Sequence, residues 1–318
     1  MKNTLRNKHI DLIVQNSNWS KDRVKGVLQE YIYNDASTLK KFIVYFILAL
    51  GVGFTLAGII FFFAYNWQDM HKFFKLGLVS VVLIATVSVT LFIHVSTFTR
   101  HVLITIASVL VGVLFAVFGQ IYQTGANAYD FFLGWTLFIL IWTIVSHFSV
   151  LWLIFIVLVN TTLFLFEEQV AGDWSEILFY TILYLVNGFF LLAFEILGHK
   201  VERLKLPGWF INTLALITVT YATLGLTVGM FDEVSTGYWL LFLLAAIAYS
   251  LAVIKGLRDR SLFYLALVAF SGITIVSTWI LKEGKSEIVF FMVALFVILS
   301  VTLVVSLFVN LQKKWNNE

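Results

Sequence analysis

Glu195 and His199 stand four residues apart, a spacing that puts both on one face of a helix. A carboxylate and an imidazole so placed can share a metal ion, and His is a usual zinc ligand. His94, His101 and His147 map to the same side of the membrane as His199 in the threading below, so a metal or proton-sensing cluster is one reading. Solvated loop histidines and a surface pair are the other. The zinc-protease pattern H-E-x-x-H is missing, as are G-x-S-x-G and a Walker-type phosphate loop, and the chain has no cysteine, so no thiol can act as nucleophile or ligand. No catalytic residue and no cofactor is expected, and Glu195 and His199 remain the weak metal candidates.

Amides form the second constellation. The stretch "GQIYQTGANAYD", residues 119–130, brings Gln120, Tyr122, Gln123, Asn127 and Asp130 into a chain otherwise written in Phe, Leu, Ile and Val. An earlier break supplies Tyr65, Asn66, Trp67 and Asp69. Together these could bind a polar headgroup, a sugar-like solute or a peptide segment; the alternative is that they are interfacial anchors and caps, with Asp130 the N-cap of the following helix. Matching Gly58 to Phe61 with Gly112 to Phe115 brings Asn66 opposite Gln120 and, after a four-residue insertion, Phe73-Phe74 opposite Phe131-Phe132, which suggests a duplicated helical hairpin. Asn160 and Asn187 form a third set, an intramembrane polar pair at similar depth in consecutive helices. They are expected to hydrogen-bond across the helices, or else to line a solute path.

The elements that position these residues follow from composition. Of 318 residues 60% are hydrophobic and only 12% charged, far from the roughly 25% charge of a soluble domain. A helix needs about 20 apolar residues to cross a bilayer. The apolar runs predict ten spans, at about 42–64, 76–95, 102–119, 131–146, 149–166, 177–197, 209–230, 238–254, 261–281 and 288–310. Residues 131–166 form one long run broken only at Ser146-His147-Phe148-Ser149; it is too long for one helix, so two spans joined by a tight turn are expected.

Orientation follows from Lys and Arg, which are retained on the cytoplasmic side. With the N-terminus inside, 17 of the 21 basic residues lie in inner segments, and only Lys72, Lys75, Lys282 and Lys285 lie outside. Both termini are therefore expected in the cytoplasm. Tryptophan, which favours the headgroup level, agrees: nine of the ten fall near span ends and only Trp19 lies away from them. The first 41 residues show no cleavable signal. Ser20 is placed to cap a helix over 20–34 whose Val24, Val27, Leu28, Tyr31 and Ile32 form one stripe; with a helix over 4–16 this makes a cytosolic hairpin. Its basic residues read as the positive-inside signal rather than as a nucleic-acid surface, so no nucleic-acid partner is expected.

The whole is an all-α polytopic transmembrane bundle of about ten spans, divided into a cytosolic helical prefix (1–41), the bundle (42–310) and a cytosolic tail (311–318). Ionisable residues within spans are functional candidates by default, yet, setting Tyr aside, only Glu195 and His94 fall inside these spans, both near inner ends. That argues against a pump or transporter using a buried carboxylate relay, and leaves a carrier of neutral solutes or a lipid-handling protein open.

Two segments, "FFFAYNWQDMHKFFKLGL" (61–78) and "GQIYQTGANAYDFFLGW" (119–135), resemble the hallmark segments of the prokaryotic predicted membrane proteins called domain-of-unknown-function family 2157, and the helical prefix is similar to the start of that family. The resemblance spans roughly residues 1–170 and implies a multi-pass protein of the bacterial cytoplasmic membrane; it brings no activity with it. Two functions are therefore expected to compete: binding or translocation of a neutral or lipid-like ligand through the outer loops, and a scaffold or sensor that meets an envelope protein there. Membrane lipids are partners in either case.

Overall fold

The computed structural model describes residues 19–20, 22–24, most of 39–47, scattered positions from 50 to 69, and then 70–122, 125, 127–200, 206–231, 236–284 and 287–317. The chain divides into two units, residues 1–75 and 76–318. Among the described residues nine helices are long and apolar enough to cross a membrane: α1 Lys72–Phe92, α2 Thr97–Tyr122, α3 Ala128–Ser146, α4 Ser149–Phe166, α5 Glu176–Lys200, α6 Gly208–Val228, α7 Thr236–Arg258, α8 Leu262–Glu283 and α9 Ile288–Asn317. The described positions between 39 and 65, where the first span is expected, are helical as well. The architecture is thus an all-α polytopic bundle of about ten spans.

In the first unit Ser20 Oγ accepts the backbone N–H of Arg23 at 3.3 Å, the bond an N-cap makes. The rest of the prefix hairpin, including residues 4–16, lies outside the described residues. At the other end of this unit Trp67 and Asp69 sit in a turn closed by the N–H of Met70 on the carbonyl of Trp67 at 3.3 Å.

In the second unit, consecutive helices pack as neighbours from α2 to α4, α5 makes its main contact with α6, and α8 touches α6, α7 and α9. One buried cluster joins five helices through Val111, Ile139, Phe155, Ile156, Phe194 and Phe210. A second ties α5, α6 and α7 through Ile177, Tyr184, Ala222, Leu226 and Leu241. The α5–α6 pair belongs to both and is the spine of the unit. The long apolar run 131–166 resolves into α3 and α4, of 19 and 18 residues, each about 27–29 Å long at 1.5 Å per residue. His147 makes the reversal at φ 50°, a left-handed conformation in which His is enriched, and Phe148 beyond it stacks on His101 with ring centroids 4.7 Å apart.

Glycine sets the closest approach between α2 and α3. The Trp135 indole lies where a Cβ on Gly112 would be, and its Nε1 donates to the carbonyl of Ser108 at 2.7 Å. That carbonyl is one turn before Gly112, so the absent side chain opens the path to it. Phe115 in turn lays its ring edge beside Gly134, 3.4 Å from where a Cβ would stand there. In the hairpin duplication considered above, the position equivalent to Trp135 is Gly77, so the packing that Gly112 serves has no counterpart there.

Several boundaries differ from expectation, the end of α9 by seven residues (Asn317 against 310). His94 stands beyond the end of α1, exposed in the turn at 93–96, because Ser96 starts the next helix by accepting the Thr99 N–H at 3.1 Å. Gln120 and Tyr122 belong to the last turn of α2. Helix α3 begins at Ala128, so Asn127 occupies the cap position and Asp130 lies in the first turn; Asp130 is not the cap but remains where a carboxylate favours the helix dipole.

Substituting Gly112→Ala forces the indole out of place and is expected to destabilise the protein by about 1–3 kcal/mol. Melting of the purified protein in micelles checks this, with Trp135→Leu added to Gly112→Ala recovering part of the loss. Equal losses in the single and double variants would place the effect of Gly112 elsewhere.

Candidate functional site

The α2–α3 connection is anchored by a residue 40 positions away. Gln169 Oε1 accepts the backbone N–H of Tyr129 at 3.1 Å, satisfying one of the donors that every helix start leaves open. Gln169 is carried by a single π-helical turn, Glu167–Ala171, that ends α4 before Gly172 turns at φ 45°. The same contact brings rings together: Tyr129 meets Phe166 edge-on at 5.4 Å, and Phe166 meets Trp174 at 5.5 Å. Asp130, Glu168, Asp173 and Glu176 are exposed near these rings in the chain. Gln169, Phe166 and Trp174 were not among the residues singled out from sequence; the polar run "FEEQVAGDW" between two spans is the signal that could have found them.

The residues that were singled out fall into separate places. Gln120 is exposed near the end of α2, Tyr122 is exposed with its ring 4.6 Å from Phe118, and Asn127 is exposed at the head of α3. Gln123 and Asn66 lie outside the described residues. In the first unit Trp67 is half-buried beneath the Lys75 ammonium, 5.3 Å from the ring centroid, and Asp69 is exposed.

Deep between α4 and α5, Asn160 and Asn187 face each other. Asn160 Nδ2 donates to Asn187 Oδ1 at 3.1 Å and to the carbonyl of Ile156 at 2.7 Å. Asn187 Nδ2 donates to Asn160 Oδ1 at 2.7 Å and to the carbonyl of Leu183 at 2.8 Å. An amide has two N–H donors, so all four are spent, and both side chains are buried. A reciprocal amide ring of this kind holds helices together; it offers no donor to a passing solute.

At the opposite helix ends, Lys255 of α7 donates to Glu195 of α5, and its ammonium lies 4.9 Å from the centre of the Tyr264 ring on α8. The Glu195 carboxylate is thus engaged by a lysine 60 residues away rather than standing open beside His199, whose side chain lies outside the described residues. Among the described residues no three His, Asp or Glu side chains converge on a point that could hold a metal.

Length, apolar character and packing of these helices define a multi-pass α-helical membrane protein. Residues 20–152 match the family described as Predicted membrane protein (DUF2157). The resemblance read from residues 61–78 and 119–135 therefore holds; both segments lie inside the match, which is narrower than the 1–170 expected. No curated protein and no solved structure matches the chain.

Replacing Asn160 or Asn187 by Leu strands the partner amide in an apolar interior, expected to cost about 1–3 kcal/mol. The double variant should lose less than the sum, with a coupling near 0.6 kcal/mol and no more than about 1.7. A double-mutant cycle on thermal or chemical unfolding measures it, and strict additivity would show that the pair does not act as a unit.

Proposed function

We propose that the protein sits in the bacterial cytoplasmic membrane with both termini in the cytoplasm and binds a neutral or lipid-like ligand at its outer face without carrying it through the bundle. The observation that carries this reading is the contrast between interior and end. The buried amides Asn160 and Asn187 spend every donor on each other and on their own helices, whereas the α2–α3 connection is held against aromatic rings with Tyr122, Asn127 and Asp130 left exposed. Rings with a few placed polar groups are what a headgroup or sugar-like ligand needs. Gln120, Tyr122, Gln123, Asn127 and Asp130 are the proposed ligand residues there, and Asn66, Trp67 and Asp69 those of the first outer loop. The positive-inside distribution supports the orientation.

A scaffold that engages an envelope protein through the same face is the competing reading. It is favoured by the carboxylates Glu168, Asp173 and Glu176, which would suit a basic partner surface better than a neutral ligand.

Two measurements test the proposal. Phosphatase fused after Asn127 should be active outside the cell and phosphatase fused after Arg203 should not; the reverse pattern would invert the topology. Protein in liposomes should pass no neutral solute, while lipid retained through gentle purification should fall several-fold in Gln120→Ala and Asp130→Ala. Solute flux that disappears in Asn160→Leu would overturn binding without translocation.

A further inference from the structure

Helices α6, α7 and α8 bring five hydroxyl side chains to one side of the spine. Thr223 Oγ1 and Ser271 Oγ are 2.7 Å apart, Tyr249 OH and Ser271 Oγ 2.7 Å, and Thr223 Oγ1 is 2.7 Å from the carbonyl of Val219. Three protons serve these three short contacts, and a carbonyl can only accept. Thr223 must therefore donate to Val219, Ser271 to Thr223, and Tyr249 to Ser271. The chain ends on a backbone carbonyl, which cannot pass a proton on.

Thr223 and Ser271 also form part of the floor of a groove of about 450 Å³ between α6 and α8, with Leu216, Phe263 and Phe270 among its apolar walls. Its volume falls in the roughly 300–1,000 Å³ range of small-molecule sites. Thr220 and Thr274, one on each wall and both exposed, donate to the carbonyls of Leu216 and Phe270 in their own helices at 2.8 and 2.9 Å. With those protons spent, both threonines turn only oxygen lone pairs to the groove. Their surroundings on a membrane-spanning helix are hydrocarbon, which has no donor to offer. Below its headgroup a diacyl phospholipid adds only ester carbonyls, which are acceptors too.

We infer that this groove is a lateral binding site for a neutral long-chain amphiphile bearing a hydroxyl or amide N–H, whose donor bonds to Thr220 and Thr274 while its chain lies along Leu216, Phe263 and Phe270. The site is separate from the outer-face connection and does not depend on it. It selects by hydrogen-bond polarity: a donor is accepted, and an ether or ester of the same length gains nothing beyond apolar contact.

The test uses the full chain in phosphatidylcholine nanodiscs with a photoactivatable long-chain alcohol and its methyl ether, reading labelled peptides by mass spectrometry. The alcohol should label α6 and α8 about three- to tenfold more than the ether, the range for one net hydrogen bond. Thr220→Val with Thr274→Val, nearly the same shape without the oxygens, should bring the alcohol down to the ether's level with melting unchanged. Equal labelling by alcohol and ether, or a preference that survives in the double variant, would overturn the site. Labelling confined to residues 122–130 would overturn the groove and leave the outer-face reading standing; labelling at neither place would overturn both; preferential labelling of the groove alone supports it and counts against the outer face.

Discussion

Hydrocarbon has neither donors nor acceptors, so any polar group that a membrane-spanning chain carries must be satisfied by the chain itself. Helices meet that demand for the backbone, and the side chains of this protein meet it in graded ways. Threonines and serines such as Thr143, Thr181 and Thr218 bond back to the carbonyl four residues earlier. Trp135 reaches across to the carbonyl of Ser108, Asn160 and Asn187 close on each other, and Lys255 joins Glu195. From the first of these to the last, the separation in sequence grows from 4 to 60 residues.

The location of these closures shapes what the molecule can do. Between α4 and α5 the polar groups are exhausted, so the bundle interior there is a structural seam. Among the described residues, polar groups remain available at the helix ends around Tyr129 and Gln169, where exposed carboxylates lie beside the rings, and along the flank of α6 and α8, where hydroxyls keep their lone pairs. The second large groove, of about 330 Å³ beside Trp152 and Phe190 near the α3–α4 turn, is almost wholly apolar and carries no such selectivity. This contrast is why binding from the side or from the face is proposed, rather than passage through the bundle.

Much of the fold was legible in the chain because the bilayer imposes one length on every span. Runs of about 20 apolar residues place α1 to α8 within about five positions and the start of α9, whose end runs to Asn317, seven residues past expectation, and the split of the long run at Ser146 to Ser149 follows from the same limit. Cap geometry was less legible: Asp130 reads as a helix cap until Gln169 is seen to take the Tyr129 N–H, which lets α3 start earlier. The depth match of Asn160 and Asn187 came from counting along antiparallel helices. The same counting could not find the partner of Glu195, since α5 and α7 are not consecutive.

By itself the sequence determined that this is a multi-pass membrane protein of about ten spans, roughly where its helices lie, and that residues within 20–152 resemble one family of predicted membrane proteins. Only the tertiary structure decided which helices are neighbours, and with that which polar residues are spent and which are available. The physical reason is that lipid is as apolar as leucine, so hydrophobicity drives each span into the bilayer but does not select its companion there. That selection is made by small contacts of high specificity: an indole over Gly112, an amide ring at Asn160 and Asn187, a lysine at Glu195. A linear pattern of apolar residues contains none of them.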